Sequence, residues 1–68
     1  MTNGEFIKTY GKAEFYDLKN YVYQRLTILK MDKKLKGFRI SNRKGRAQIF
    51  LNNGQTVFRE FAYIWKNY

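Results

Sequence analysis

Apolar residues recur at two different periods along this chain, and the change of period divides it. From position 13 to 33, Phe15, Leu18, Val22, Leu26 and Leu29 return at steps of three and four, which draws one stripe along a helix. Tyr21, Ile28 and Leu35 border that stripe. Glu14 and Asp17 fall in the first turns and Lys30, Lys33 and Lys34 in the last, as the helix dipole favours. Gly37 offers a C-terminal stop. The spacing predicts a helix from about Ala13 to about Lys33. Ahead of it, residues 1–12 read in two ways. Phe6, Ile7 and Tyr10 form one helical turn ending near Gly11, or the segment is a flexible arm.

Beyond Gly37 the period drops to two. Phe38 and Ile40 alternate with Arg39 and Ser41, and Ala47, Ile49 and Leu51 alternate with Gln48 and Phe50. Lys44-Gly45 and Asn53-Gly54 read as two-residue hairpin turns. Those turns pair Ile40 with Ile49 and Phe38 with Leu51, then Leu51 with Thr56 and Ile49 with Phe58. Both registers place Phe38, Ile40, Ala47, Ile49, Leu51 and Phe58 on one sheet face, and directly opposed residues share a face. From Arg59 to Tyr68 the helical spacing returns through Phe61, Ile64, Trp65 and Tyr68, starting close to Phe58. The expected fold is α+β, a single domain over residues 1–68. It has an N-terminal amphipathic helix, a three-stranded antiparallel β-meander and a C-terminal helix, with the helices in a single layer on one sheet face. The competing arrangement puts one helix on each face and buries Phe50 and Val57.

The register also populates the opposite face, with Arg39, Ser41, Gln48, Phe50, Gln55 and Val57. It pairs Arg39 with Phe50 and Phe50 with Val57, which centres the face on one aromatic ring. Arg43, Lys44 and Arg46 sit at or beside the first turn. Fourteen Lys and Arg against five Asp and Glu give the 68-residue chain a formal net charge of +9. The excess is concentrated. Residues 30–46 hold Lys30, Lys33, Lys34, Lys36, Arg39, Arg43, Lys44 and Arg46 against Asp32 alone. This exceeds what helix-dipole matching requires, and an anionic partner is the first expectation. A solvated lysine-rich helix end, or a localisation signal at Lys33-Lys34-Lys36, explains part of it.

Absences narrow the chemistry. With no Cys and no His, disulfides, zinc-thiolate sites, thiol nucleophiles and imidazole bases are excluded. Ser41 has no histidine to activate it, and no phosphate-cradling glycine loop occurs. Glu14 and Asp17 read as dipole partners of a helix start. The expectation is a non-enzymatic protein without metal or cofactor. No apolar run approaches the ~18 residues of a membrane span, and the first residues lack a signal-peptide pattern. The basic helix end weighs toward a membrane surface, but Glu14, Asp17 and Asn20 on its polar face weigh against one. No membrane partner is expected.

Guanidinium and ammonium groups neutralise phosphates, and Arg and Gln bond guanine and adenine edges. A phenyl ring stacks on bases. A small nucleic-acid-binding protein, with DNA favoured over RNA, is therefore the leading expectation. Its contacts would be Lys33, Lys34, Lys36, Arg39, Arg43, Lys44, Arg46, Gln48 and Phe50. Over residues 36–68 the element order, three antiparallel strands and then a packing helix, resembles the arm-type DNA-binding domains of tyrosine recombinases and plant AP2 domains. That resemblance is one of layout and carries no residue roles. A second expectation is a small effector or inhibitor that docks on the acidic surface of a larger host protein, using exposed tyrosines such as Tyr16 and Tyr23. The Lys-, Asn- and Tyr-rich composition is similar to that of chains from AT-rich bacterial or phage genomes, which implies the cytoplasm of a bacterial or phage-infected cell.

Overall fold

The computed structural model describes all 68 residues, in the order helix, helix, three strands, helix. Residues 1–12 prove to be mostly helical. α1 spans Asn3–Tyr10, and Thr2 caps it: Thr2 Oγ1 accepts the Glu5 N–H at 3.2 Å and donates to Glu5 Oε1 at 3.2 Å. Thr-x-x-Glu is a capping-box spacing, and it is the sequence signal that decides between turn and arm. Gly11, at φ 95, ends α1 and opens α2, Lys12–Met31. Leu18, Val22 and Leu26 are the buried residues of α2, while Phe15 and Leu29 at the ends of the stripe are half-buried. α2 ends two residues short of the expected Lys33, and Gly37 is not its stop. Lys33 takes the left-handed position at φ 60, and the Lys34 N–H returns to the Leu29 carbonyl at 2.9 Å, closing α2.

The sheet has the order β1 (Gly37–Ser41), β2 (Arg46–Phe50), β3 (Thr56–Glu60), all antiparallel. Both registers differ from the expected ones. Between β1 and β2, Ser41 pairs with Arg46 and Phe38 with Ile49. The loop is therefore four residues, Asn42–Gly45, closed by the Gly45 N–H on the Asn42 carbonyl at 3.3 Å. The slip is two residues, so every side chain keeps its face.

Between β2 and β3 the slip is one residue, and β3 turns over. Ile49 pairs with Val57 and Gln48 with Phe58. The connection uses Asn52, Asn53 and Gly54. The Gly54 N–H bonds the Leu51 carbonyl at 3.1 Å, the Leu51 N–H bonds the Gln55 carbonyl at 2.8 Å, and Gly54 has φ 87. This is a three-residue loop with a glycine bulge rather than a two-residue turn. It sends Val57 to the core and Phe58 to the opposite face, and places Gln55 opposite Leu51 at the foot of the loop rather than on the open face. β3 also runs on to Glu60, so α3 begins at Phe61 and ends at Asn67.

One core joins the helices to the sheet. Val22, Leu26, Ala47, Ile49, Ala62 and Ile64 are fully buried, with Phe6, Leu18, Leu35 and Phe61 around them. Phe38, Ile40, Leu51 and Val57 pack against this cluster from the sheet, and Phe15, Trp65 and Tyr68 from the helices. All three helices lie on this face, and the other face carries none. No helix is long and apolar enough to cross a membrane.

Candidate nucleic-acid interface

The uncovered face is a grid of three cross-strand rows. Ser41, Arg46 and Glu60 form the row beside the first loop, Arg39, Gln48 and Phe58 the middle row, and Gly37, Phe50 and Thr56 the far row. Gln48 is thus at the centre, flanked by Arg39 on one edge strand and Phe58 on the other. The expected centre, Phe50 between Arg39 and Val57, is corrected by the register. Phe50 sits at the far end with Lys36, Gly37 and Gln55 around it.

Phe58 is half exposed, at 50%. The Arg46 guanidinium lies 4.6 Å from its ring centroid, a cation–π stack that holds the arginine flat against the sheet. Arg39, Ser41, Lys44, Arg46, Gln48 and Phe58 together line a shallow depression of 160 Å³. The stack depends on the one-residue register difference, which is why sequence reasoning missed Phe58. The signal was the run Asn52-Asn53-Gly54, which serves a three-residue loop as well as a two-residue turn.

The basic loop is held from behind by distant residues. α3 has no side-chain cap of its own. Its first two N–H groups are taken instead by Gly45 and Asn3: Phe61 N–H donates to the Gly45 carbonyl at 3.0 Å, and Ala62 N–H to Asn3 Oδ1 at 3.0 Å. Asn3 Nδ2 donates to the same Gly45 carbonyl at 2.6 Å, and the Asn3 N–H reaches Glu60 Oε1 at 3.2 Å. Asn3 therefore ties α1, the β1–β2 loop and α3 into one joint. Gly45 is confined twice over, by φ 66 and by Asn3 Nδ2, which lies 2.6 Å from where a Cβ would stand.

The loop's charged side chains are not held in this way. The Arg25 and Arg59 side chains donate to the Tyr68 and Phe58 carbonyls, whereas the side chains of Arg39, Arg43 and Lys44 make no hydrogen bond within the fold and that of Arg46 has only its stack on Phe58. A fixed backbone thus presents Arg43 and Lys44 as free cations.

The other expected contacts separate. Lys33, Lys34 and Lys36 lie beyond the opposite end of β1, a strand length of about 17 Å from the loop. The Lys33 carbonyl accepts from Asn52 at 3.0 Å, the Lys36 N–H pairs with the Phe50 carbonyl at 2.8 Å, and Lys34 borders Arg25, Leu35 and Tyr68. One continuous run in sequence becomes two basic regions in space. Of the two tyrosines, Tyr23 stands edge-on to Phe38 at 5.8 Å, while Tyr16 is 75% exposed beside Lys19 and Arg43. No group of three or more His, Cys, Asp or Glu side chains comes together. No protein-family model, no curated protein and no solved structure matches this chain.

Proposed function

We propose that this chain is a small non-enzymatic DNA-binding protein that lays its open sheet face and basic β1–β2 loop on duplex DNA. The observation that carries the reading is the convergence of Arg39, Lys44 and Arg46 around Gln48 on the face without helices. Arg43 and Lys44 at the loop tip neutralise phosphates, and Arg39, Arg46 and Gln48 offer planar donors to base edges. Phe58 keeps Arg46 oriented and is itself available for a thymine methyl or an unstacked base. Phe50 and Lys36 add contacts at the far end of the same face, and Lys33 and Lys34 form a separate basic region beyond it that attracts the phosphate backbone.

The test is a fluorescence-polarisation titration against labelled duplex DNA, single-stranded DNA and structured RNA at two salt concentrations, with Arg43→Glu/Arg46→Glu beside the parent protein. Duplex binding that weakens with salt, with a slope near −0.9 per phosphate contacted, is the expected result. The double variant should bind at least about 100-fold less tightly. Absence of binding to all three probes at low salt retires the reading. Preference for the RNA moves it to another nucleic acid.

One feature favours a second reading, docking on an acidic protein surface. An exposed Phe58 beneath Arg46 is the kind of aromatic–arginine pair that concentrates energy in protein interfaces. A pull-down from nuclease-treated lysate separates the two: a discrete acidic partner that persists at high salt supports this second reading.

A further inference from the structure

Behind the basic loop, on the helix side of the sheet, lies a cleft of 460 Å³, nearly three times the size of the depression on the open face. Phe15 and Phe61 form its floor, their ring centroids 6.2 Å apart. Tyr16 and Lys19 rise from α2 on one side, and Asn42 and Arg43 from the loop on the other. The size is within the range of small-ligand sites, about 300–1,000 Å³, and the lining has their character, an apolar floor with a few polar groups at the rim.

We infer that this cleft takes a single unpaired nucleotide of the bound DNA, an inference that rests on the DNA-binding reading above. The rim chemistry selects for it. Lys19 and Arg43 supply two cations and the cleft has no carboxylate, so the occupant is anionic. Asn42 engages the fold through its backbone carbonyl, which accepts the Gly45 N–H, so its carboxamide remains free for the edge of a base. Tyr16 exposes most of its ring at the lip, where a base can stack on it. A free phosphate would leave the aromatic floor unused, and an apolar ligand would leave both cations unmatched.

Placement along the loop gives the route. Arg43 and Lys44 are neighbours, yet Arg43 lines the cleft and Lys44 lines the open face. A strand leaving the open face past Lys44 meets Arg43 at the next residue. A duplex has no free base to insert there, whereas a single-stranded overhang does.

The experiment compares a blunt duplex with the same duplex carrying a short 5′-phosphorylated single-stranded overhang. Each is titrated with the parent protein, Tyr16→Ala and Lys19→Ala. Both replaced side chains lie on the surface of α2 outside its buried stripe, and circular dichroism checks that the fold is intact. The parent should bind the overhang probe roughly tenfold more tightly, the gain expected from stacking one base. Tyr16→Ala and Lys19→Ala should remove that gain and leave blunt-duplex affinity unchanged. Equal binding of the two probes by the parent overturns this inference and leaves the DNA-binding reading standing. Loss of binding to both probes in the parent overturns both. Binding of an acidic, aromatic-containing peptide that is lost in the two variants, with no overhang gain, assigns the cleft to a protein ligand and overturns the inference.

Discussion

The two hairpin loops of the sheet are built by different means. The Asn52–Gly54 loop carries no charge and makes its own turn: the Gln55 N–H bonds Asn53 Oδ1 at 2.9 Å, Gly54 supplies the positive φ with open space around it, and a single outside bond runs from Asn52 Nδ2 to the Lys33 carbonyl at 3.0 Å. The Asn42–Gly45 loop carries Arg43 and Lys44 and is held from outside, by Asn3 and the start of α3. The self-made loop ends the basic ribbon. The loop with charge to present is the one that the rest of the fold braces. Bracing its backbone lowers the ordering entropy that a ligand would otherwise have to overcome, while the cations themselves stay free. The two registers teach the same lesson from the other side. A two-residue slip at the braced loop leaves both faces intact, whereas a one-residue slip at the self-made loop decides whether Phe58 or Val57 faces the core.

That last point yields the largest expected effect. Val57→Asp should lower unfolding free energy by about 2–4 kcal/mol, because it places a carboxylate against the core. Phe58→Asp should change it by less than about 1 kcal/mol, since the site is half exposed and faces Arg46 and Arg39. Urea denaturation of the pair reads the register of β3, and the reverse order would restore the two-residue turn.

Next come the glycines. Gly45→Ala should destabilise by about 2–3 kcal/mol, from its left-handed backbone together with displacement of Asn3. Gly54→Ala, with only the backbone cost, should lose about 1 kcal/mol. Equal losses would mean that the first loop is not braced.

Asn3→Ala should cost about 1–2 kcal/mol by uncapping Ala62 and releasing Gly45. Amide exchange should also quicken at the Asn42–Gly45 loop in this variant and stay unchanged at Asn52–Gly54. Asn3→Asp keeps the acceptor for Ala62 but sets a carboxylate oxygen against the Gly45 carbonyl, so its loss should be no smaller than that of Asn3→Ala.

Much of the fold was legible because local patterns agreed with one another. The Phe15–Leu29 stripe, the alternation around Ile40 and Ile49, and the spacing of Phe61, Ile64 and Trp65 each specify an element without outside help. The position of the basic loop was legible too, since Arg43, Lys44 and Arg46 lie close in sequence, but its length was not: four residues stand where Lys44-Gly45 reads as a two-residue turn. What escaped depends on residues far apart. Asn53-Gly54 is compatible with two loop lengths, and only core packing around Val57 and Phe61 selects between them. The cap of α3 comes from Asn3, 59 positions away from Ala62. The Arg46–Phe58 stack and the cleft between Lys19 and Arg43 exist only once the chain has folded.

The proposed DNA contact is on the open sheet face rather than on the helices. The direct test is a two-dimensional amide NMR titration of the isotope-labelled protein with a short duplex. Shifts should concentrate at Arg39, Ser41, Arg46, Gln48, Phe58 and the Asn42–Gly45 loop, with α1 and the middle of α2 unmoved. Shifts centred on the helix surface around Tyr10, Tyr21 and Trp65, with the sheet silent, would contradict it.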